Sequence, residues 1–109
     1  MIQSLPVLTK EVDVDFLVFV ERYATDLLKW DILTFFGQNP NIKAPLSKIA
    51  QAVGRSVTSV RPEVGDLALV GILEQIPSLH RDEVLFQLTQ SPQFRRLAIK
   101  FAENQGFRS

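Results

Sequence analysis

The spacing of apolar residues changes within one segment of the chain, from Ile42 to Thr89, and this change constrains the fold more than any other feature. As far as Gly71, apolar residues recur every three or four positions, which is typical of amphipathic helices. On either side of the polar run at residues 80–83, they follow the alternation typical of β-strands. This order predicts a short helix, a tight turn, a second helix and a β-hairpin.

Residues that start and stop helices divide this segment further. Pro45 suits the first turn of a helix because its backbone angle is already fixed, and Gly54 ends that helix. The second helix extends to Gly71. Three hydroxyl residues are alternative caps for its first turn: Ser56, Thr58 and Ser59. The predicted β segments are residues 72–76 and 84–88, with a strand of two or three residues at 42–44.

Helical segments frame this motif on both sides. Residues 13–37 carry a broad apolar stripe that predicts one continuous helix or two successive ones, capped by Asp13 or Asp15. A last amphipathic helix is predicted at residues 91–105, and residues 1–12 are expected to form an irregular arm. With 109 residues in all, the chain is predicted to be a single domain.

The two central helices and the exit into the hairpin are marked by a set of apolar and glycine residues: Ile49-Ala50, Val53-Gly54, Val60, Leu67 and Val70-Gly71-Ile72-Leu73. From residue 27 to residue 89, this pattern resembles the winged helix domains of the MarR and ArsR families of prokaryotic repressors. The resemblance covers somewhat over half of the chain. It implies a fold that is mainly α with a small antiparallel β-hairpin, a winged helix-turn-helix with extra N-terminal and C-terminal helices.

The resemblance also implies a partner, duplex DNA, and a role in transcription regulation. In winged helix proteins the second helix of the motif lies in the major groove, and the wing touches the flanking backbone. Hydroxyl and guanidinium groups can bond phosphates or base edges there, and Arg61 can bond guanine with two hydrogen bonds. The residues that the resemblance implies as DNA contacts are Lys48, Arg55, Thr58, Ser59, Arg61 and Arg81.

Three features weigh against DNA binding. Twelve basic and twelve acidic residues give zero net charge, whereas proteins that bind nucleic acids are usually basic. Pro62 is expected to interrupt the second helix unless that helix begins as late as Ser59. Glu63 and Asp66 are expected to bring negative charge to the face that approaches phosphates. The sequence therefore leaves an alternative open, a winged helix module for protein–protein interaction that binds no DNA.

The helical segment at residues 13–37 is more apolar than so small a core requires. Exposed apolar surface marks interaction sites, so a homodimer is predicted. The predicted interface consists of aromatic and aliphatic residues of the two end helices: Phe16, Phe19, Val20, Tyr23, Leu27, Phe94 and Phe101. The alternative is that these helices pack on each other within one subunit.

No residue pattern points to catalysis, a cofactor or a metal. The chain has no cysteine and a single histidine, His80, so neither a thiolate site nor a two-histidine metal site can form within one chain. The longest apolar run, Phe16 to Val20, is far shorter than the ~20 residues of a membrane helix. The N-terminus lacks the pattern of a secretory signal. The protein is therefore expected to be non-enzymatic and cytoplasmic.

Overall fold

The computed structural model describes residues 13–78 and 83–105. In this part of the chain, five helices and two strands follow one another: α1 (Val14–Tyr23), α2 (Leu27–Gln38), α3 (Leu46–Val53), α4 (Val57–Leu69), β1 (Leu73–Pro77), β2 (Val84–Leu88) and α5 (Pro92–Gln105). The two strands pair as an antiparallel hairpin. The prediction of a mainly α fold with a small hairpin is confirmed. The predicted arm at residues 1–12 and the loop residue His80 lie outside the described residues.

The N-terminal segment consists of two successive helices. Asp13 caps α1, because its Oδ1 accepts a hydrogen bond of 3.1 Å from the amide of Phe16. Asp26 caps α2 in the same way and accepts a hydrogen bond of 2.9 Å from the amide of Lys29. A carboxylate at this position satisfies a free amide of the first turn and suits the positive end of the helix. Each aspartate therefore fixes where its helix begins.

A left-handed glycine makes the turn between α3 and α4 tight. Gly54 has a φ of 72°, a conformation that residues with a side chain rarely adopt. The amide of Arg55 then donates to the carbonyl of Ala50 at 3.0 Å and closes the end of α3. The Ser56 hydroxyl accepts a hydrogen bond of 3.1 Å from the amide of Ser59. Ser56 is thus the one of the three alternative caps that begins α4.

The prediction that Pro62 interrupts the second helix is wrong. The helix runs over Val57–Leu69 with Pro62 in its interior. A proline there costs about 3 kcal/mol, because it removes an amide and crowds the preceding turn. The same helix buries Val60, Val64 and Leu67, each at most 1% exposed. Burying a side chain of this size stabilises the fold by about 1.5–3 kcal/mol, so the three together outweigh the proline.

A single bridge stands in place of the predicted third strand. β1 and β2 pair with Leu73 opposite Leu88, and both side chains are buried. Ala44 pairs with Phe86 through two backbone hydrogen bonds of 2.9 and 2.8 Å. The strand predicted at residues 42–44 is thereby reduced to one residue. It still fixes the start of α3 against the hairpin.

The aromatic side chains of the end helices form a cluster inside the subunit. Phe19 and Phe101 are each 1% exposed, and their ring centroids are 6.4 Å apart. Trp30 of α2 packs on the same cluster, 4.9 Å from the ring of Phe101. The prediction that Phe19 and Phe101 form a dimer interface is wrong, because packing among α1, α2 and α5 covers their surface. Four other members of the predicted interface are partly buried against this core: Phe16, Val20, Tyr23 and Phe94.

Asp13 also ties α1 to α5. Its Oδ2 accepts hydrogen bonds from Lys100 Nζ at 2.9 Å and from Arg96 Nη1 at 3.1 Å. The hydrogen bonds from Lys100, from Arg96 and from the Phe16 amide, in that order, lower the pKa of Asp13 from its ordinary value of 3.8 to about 2. The ionised carboxylate is therefore the form that holds the two helices together.

Replacing Asp13 with asparagine is expected to remove part of the pH dependence of stability while keeping the helix cap, since asparagine caps helices as well as aspartate does. The pKa of Asp13 is lower in the folded chain than in the unfolded chain. Its contribution to stability is therefore present above pH 3.8 and is lost as the pH falls through about 2. Between about pH 5 and pH 2, the free energy of unfolding measured in urea should decrease less for Asp13→Asn than for the wild type. Equal losses would contradict this role.

Candidate nucleic-acid interface

Three cations lie along the helix-turn-helix: Lys48 on α3, Arg55 in the turn and Arg61 on α4. All three are exposed, and none forms an ion pair or a side-chain hydrogen bond with another residue of the ranges 13–78 and 83–105. The chain contains no Asp or Glu from residue 44 to residue 62. These three residues, called the basic surface below, give the motif three positive charges with no acid among them in sequence.

The first turns of α4 present two hydroxyl groups beside Arg61. Thr58 and Ser59 are both exposed. The hydroxyl of Ser59 accepts a hydrogen bond of 3.0 Å from the hydroxyl of Ser56, which leaves the Ser59 proton free to be donated. The N-terminal end of a helix also carries partial positive charge. This end of α4 can therefore donate hydrogen bonds to phosphate or base-edge acceptors.

The two acidic residues of α4 are bound by a lysine of α2. Lys29 Nζ lies 2.7 Å from Glu63 Oε1 and 3.1 Å from Asp66 Oδ2. It also lies 3.8 Å from Asp26 Oδ2, in the cap of its own helix. The sequence predicts negative charge from Glu63 and Asp66 on α4, and both acids lie there, with the side chain of Asp66 63% exposed. Their carboxylates share an ammonium group that belongs to the neighbouring helix.

Lys29 is the residue of this site that sequence reasoning missed. It precedes Asp66 by 37 residues, and no periodic pattern links the two positions. Its pKa is raised, first by the hydrogen bond to Glu63 and then by the one to Asp66, although burial acts in the opposite direction. The ammonium group therefore stays charged at neutral pH. The only signal in the sequence is one lysine within the apolar stretch from Leu27 to Trp30.

An open groove of about 770 Å³ separates α4 from the hairpin. Arg61 and Glu83 are the charged residues on its lining, and Leu69, on the outward side of α4, is 86% exposed. The apolar part of the lining comes from α3, α4 and β2: Leu46, Val57, Ala68, Leu69, Val84 and Phe86. The sequence did not predict this groove, because it depends on how α4 and the hairpin are placed relative to each other.

Hydrogen bonds to Glu74 hold the base of the hairpin. Its Oε2 accepts hydrogen bonds from the Thr89 hydroxyl and the Gln90 amide, each of 3.0 Å, and its Oε1 accepts one of 2.9 Å from Gln87 Nε2. These contacts, that of the Gln90 amide first, lower the pKa of Glu74. They fix both strands to the start of α5. Arg81, the DNA contact predicted at the hairpin tip, lies outside the described residues.

A second surface is apolar and lies on α1 and at the start of α2. Its exposed side chains are Val14 at 62%, Leu17 at 54%, Val18 at 43% and Leu27 at 69%. Leu27 alone among them belongs to the interface predicted from the sequence. Both sides of α1 are apolar, so periodicity could not tell which side packs on α5. This set is called the apolar surface below.

Residues 13–78 and 83–105 show neither a metal-binding cluster nor a membrane-spanning helix. No three His, Asp or Glu side chains in these ranges are grouped closely enough to hold a metal ion. No helix in the same part of the chain is long and apolar enough to cross a lipid bilayer. Within the described part of the chain, the basic surface, the groove and the apolar surface are features that suit a binding function.

Several solved winged helix structures are similar to this chain. One is the homodimeric winged helix-turn-helix DNA-binding domain of Mb0332 from Mycobacterium bovis, a possible ArsR-family regulator, with a TM-score of 0.61 and 15% identity over 91% of this chain and 92% of that one. The MarR family regulator SPO1453 from Silicibacter pomeroyi gives a TM-score of 0.63 and 14% identity over 94% and 71%. A possible transcriptional regulator from Methanosarcina mazei has a TM-score of 0.60 and 17% sequence identity, and the match covers 91% of this chain and 84% of that one.

These identities are low, so the similarity shows the fold, a winged helix-turn-helix. No family model matches the chain, and no curated protein matches it in sequence. The resemblance to MarR and ArsR domains predicted from the sequence is confirmed at the level of the fold. Because one fold hosts many functions, the fold alone does not give the function of this chain.

Proposed function

We propose that the protein is a DNA-binding transcription regulator that acts in the cytoplasm as a homodimer. The basic surface supports this most directly, because it places along the helix-turn-helix three exposed cations that form no ion pair with any other described residue. The acids of the same motif are bound by Lys29. Zero net charge is compatible with this function, since phosphates respond to the local distribution of charge.

In this proposal α4 enters the major groove with its first turns toward the bases. Arg61 bonds the O6 and N7 acceptors of a guanine, and Thr58 and Ser59 donate to base edges or phosphates. Lys48 and Arg55 bind phosphates on either side of the groove. The hairpin follows the flanking backbone, and Arg81, which lies between its two strands in the sequence, is a predicted contact there.

Only the first turns of α4 suit base reading. Beyond Arg61 the exposed positions of the helix are Pro62, Gly65, Asp66 and Leu69, and the one polar side chain among them, Asp66, is an acid bound by Lys29. In helix-turn-helix proteins the N-terminal residues of the recognition helix are the ones that touch base edges. Sequence reading is therefore expected from Thr58–Arg61, with the remainder of the helix serving as scaffold.

The proposal is tested with a fluorescently labelled random-sequence duplex of about 20 base pairs, titrated with protein at about 50 mM salt. Anisotropy should rise with a Kd in the micromolar range or below, because non-specific binding by such domains lies at about 10⁻⁴–10⁻⁶ M at physiological salt and tightens at lower salt. No change in anisotropy up to about 100 µM protein would contradict DNA binding.

Homodimerisation is supported by the apolar surface. A dimer that covers Leu17 would remove exposed apolar area from water and would double the number of cations that face the DNA. Leu17→Lys is expected to give a monomer in sedimentation equilibrium at about 50 µM, because it places a charge in the apolar contact. Gln51→Lys, at an exposed position of α3 outside the apolar surface, introduces the same charge as a control and should remain dimeric. A wild type that sediments as a monomer would contradict this part of the proposal.

The groove supports a second candidate function, protein–protein interaction without DNA binding. Leu69 is 86% exposed and Val84 38% exposed, on opposite walls of the groove. An apolar side chain of a partner could be buried between them. The DNA titration separates the two functions. Absence of binding at low salt by a folded wild type would favour protein interaction.

A further inference from the structure

Lys29 on α2 forms ion pairs with two acids of α4, Glu63 and Asp66, and so links the helix-turn-helix to the preceding part of the chain. We propose that Lys29, which lies outside that motif, is a positioning residue for the DNA interface and holds the carboxylates of Glu63 and Asp66 away from phosphate. The inference rests on the proposed DNA-binding function. It assigns a role in DNA affinity to a residue that makes no contact with DNA.

The geometry around Lys29 is that of a partly buried bridge. Its side chain is 16% exposed and that of Glu63 is 24% exposed, with 2.7 Å between Nζ and Oε1. Asp66 is more exposed, at 63%, and lies 3.1 Å from the same Nζ. Because Lys29 and Glu63 are partly shielded from water, their attraction is screened less than that of a fully exposed pair. Both acids are therefore drawn toward α2.

The charge of α4 depends on this bridge. The helix contains one cation, Arg61, and two acids, Glu63 and Asp66, so by itself it carries one net negative charge. Lys29 brings that charge to zero. At a rise of 1.5 Å per residue, the two acids lie only about 3 and 7.5 Å from Arg61 along the helix axis. Both distances are shorter than the Debye length of about 10 Å at 0.1 M salt, so their field reaches the basic surface.

The ion pairs of Lys29 also connect α4 to the packed pair of helices α2 and α5. α2 packs against α5 along its length, and Gly37 permits a close approach of the two helices. Lys29 extends from α2 of this pair to the side of α4 that carries Glu63. Losing the ammonium group would free Glu63 to rotate toward solvent, where it would repel phosphate and compete with DNA for Arg61.

The test compares three proteins in the random-duplex titration: wild type, Lys29→Met, and Lys29→Met combined with Glu63→Gln and Asp66→Asn. Lys29→Met keeps the length and apolar packing of the lysine stem and removes its charge. At about 50 mM salt it is expected to bind roughly tenfold more weakly than the wild type. The triple variant, which has neither the cation nor the two acids, leaves Arg61 as the one charge of this group and should bind at least as tightly as the wild type.

A salt series separates electrostatic repulsion from structural damage. The deficit of Lys29→Met should shrink as salt rises from about 50 to 300 mM, because screening weakens the repulsion. A damaged fold would not recover in this way. If Lys29→Met does not fold, Glu63→Gln with Asp66→Asn in the presence of Lys29 replaces it, and this variant should bind more tightly than the wild type.

Several results would overturn the inference. One is a folded Lys29→Met that binds DNA as tightly as the wild type. Another is a triple variant that binds as weakly as Lys29→Met. A third is a double variant, Glu63→Gln with Asp66→Asn, whose affinity is unchanged. These outcomes differ from failure of the proposed function itself, in which the wild type shows no binding at low salt.

Discussion

Replacing Arg55 and Arg61 together with alanine is expected to weaken binding to random duplex DNA about 100-fold or more at ~100 mM salt. The double variant removes two of the three cations of the basic surface, and in a homodimer the loss is doubled. Each phosphate contact contributes counterion release on any sequence, and loss of a bidentate arginine contact costs about a further 1–3 kcal/mol wherever the duplex offers the matching guanine. This is the largest effect expected from any pair of surface substitutions in the chain.

The control for the double variant is Arg22→Ala. Arg22 is exposed on α1, outside the helix-turn-helix, so its loss removes a positive charge and leaves the basic surface intact. Binding by Arg22→Ala should stay within about twofold of the wild type. Both proteins should unfold in urea like the wild type, since substitution of exposed side chains usually changes stability by less than about 0.5 kcal/mol. A double variant that binds as well as the control would remove the basic surface from the DNA site.

The largest expected effect on stability comes from Gly37→Ala. Gly37 is buried where α2 crosses α5, and a Cβ there would meet the carbonyl oxygen of Ala98 and lie 2.6 Å from the Cβ of Ala102. Neither neighbour can rotate away, because one is backbone and the other has no further torsion. Overpacking of this kind costs about 1–3 kcal/mol, although alanine favours helix by up to ~1 kcal/mol over glycine.

The same substitution at Gly65 is the matched control and should have the opposite sign. Gly65 is exposed on α4 and a Cβ there would meet nothing within 4 Å. Gly65→Ala is therefore expected to stabilise the fold by about 0.5–1 kcal/mol through helix propensity alone. Thermal unfolding measures both variants, at about 4–8 °C per kcal/mol for a domain of this size. If both substitutions raise the melting temperature, the close crossing of α2 and α5 is wrong.

The helix-turn-helix and the hairpin could be predicted from the sequence because the glycines, the helix cap and the apolar spacing all indicate the same elements. Gly54 and Gly71 both adopt the positive φ that glycine tolerates, and the helices stop beside them as the sequence indicated. Ser56 caps α4 by a contact three residues away, which is within the reach of sequence rules. At Pro62 the local rule failed, since burial of three core side chains outweighed the cost of proline within a helix.

The other features that the sequence did not predict depend on contacts between segments that are far apart in the chain. Phe19 and Phe101 face each other across two helices, and their periodicity is equally compatible with a dimer interface. Lys29 and Asp66 are 37 residues apart, so neither reveals the other in the sequence. The sign of charge on α4 depends on that pairing. The proposed DNA-binding function therefore depends on a tertiary contact that the composition does not reveal.

The most direct test of DNA binding through the basic surface is a salt titration of affinity. For phosphate contacts, log K falls linearly with log salt, with a slope of about −0.9 per contact. Lys48 and Arg55 are the phosphate contacts of the basic surface, so in a dimer they predict a slope of about −3.6 for the wild type, and loss of Arg55 together with Arg61 predicts a slope of about −2. A wild-type slope close to zero, or one that the double variant leaves unchanged, would contradict the account.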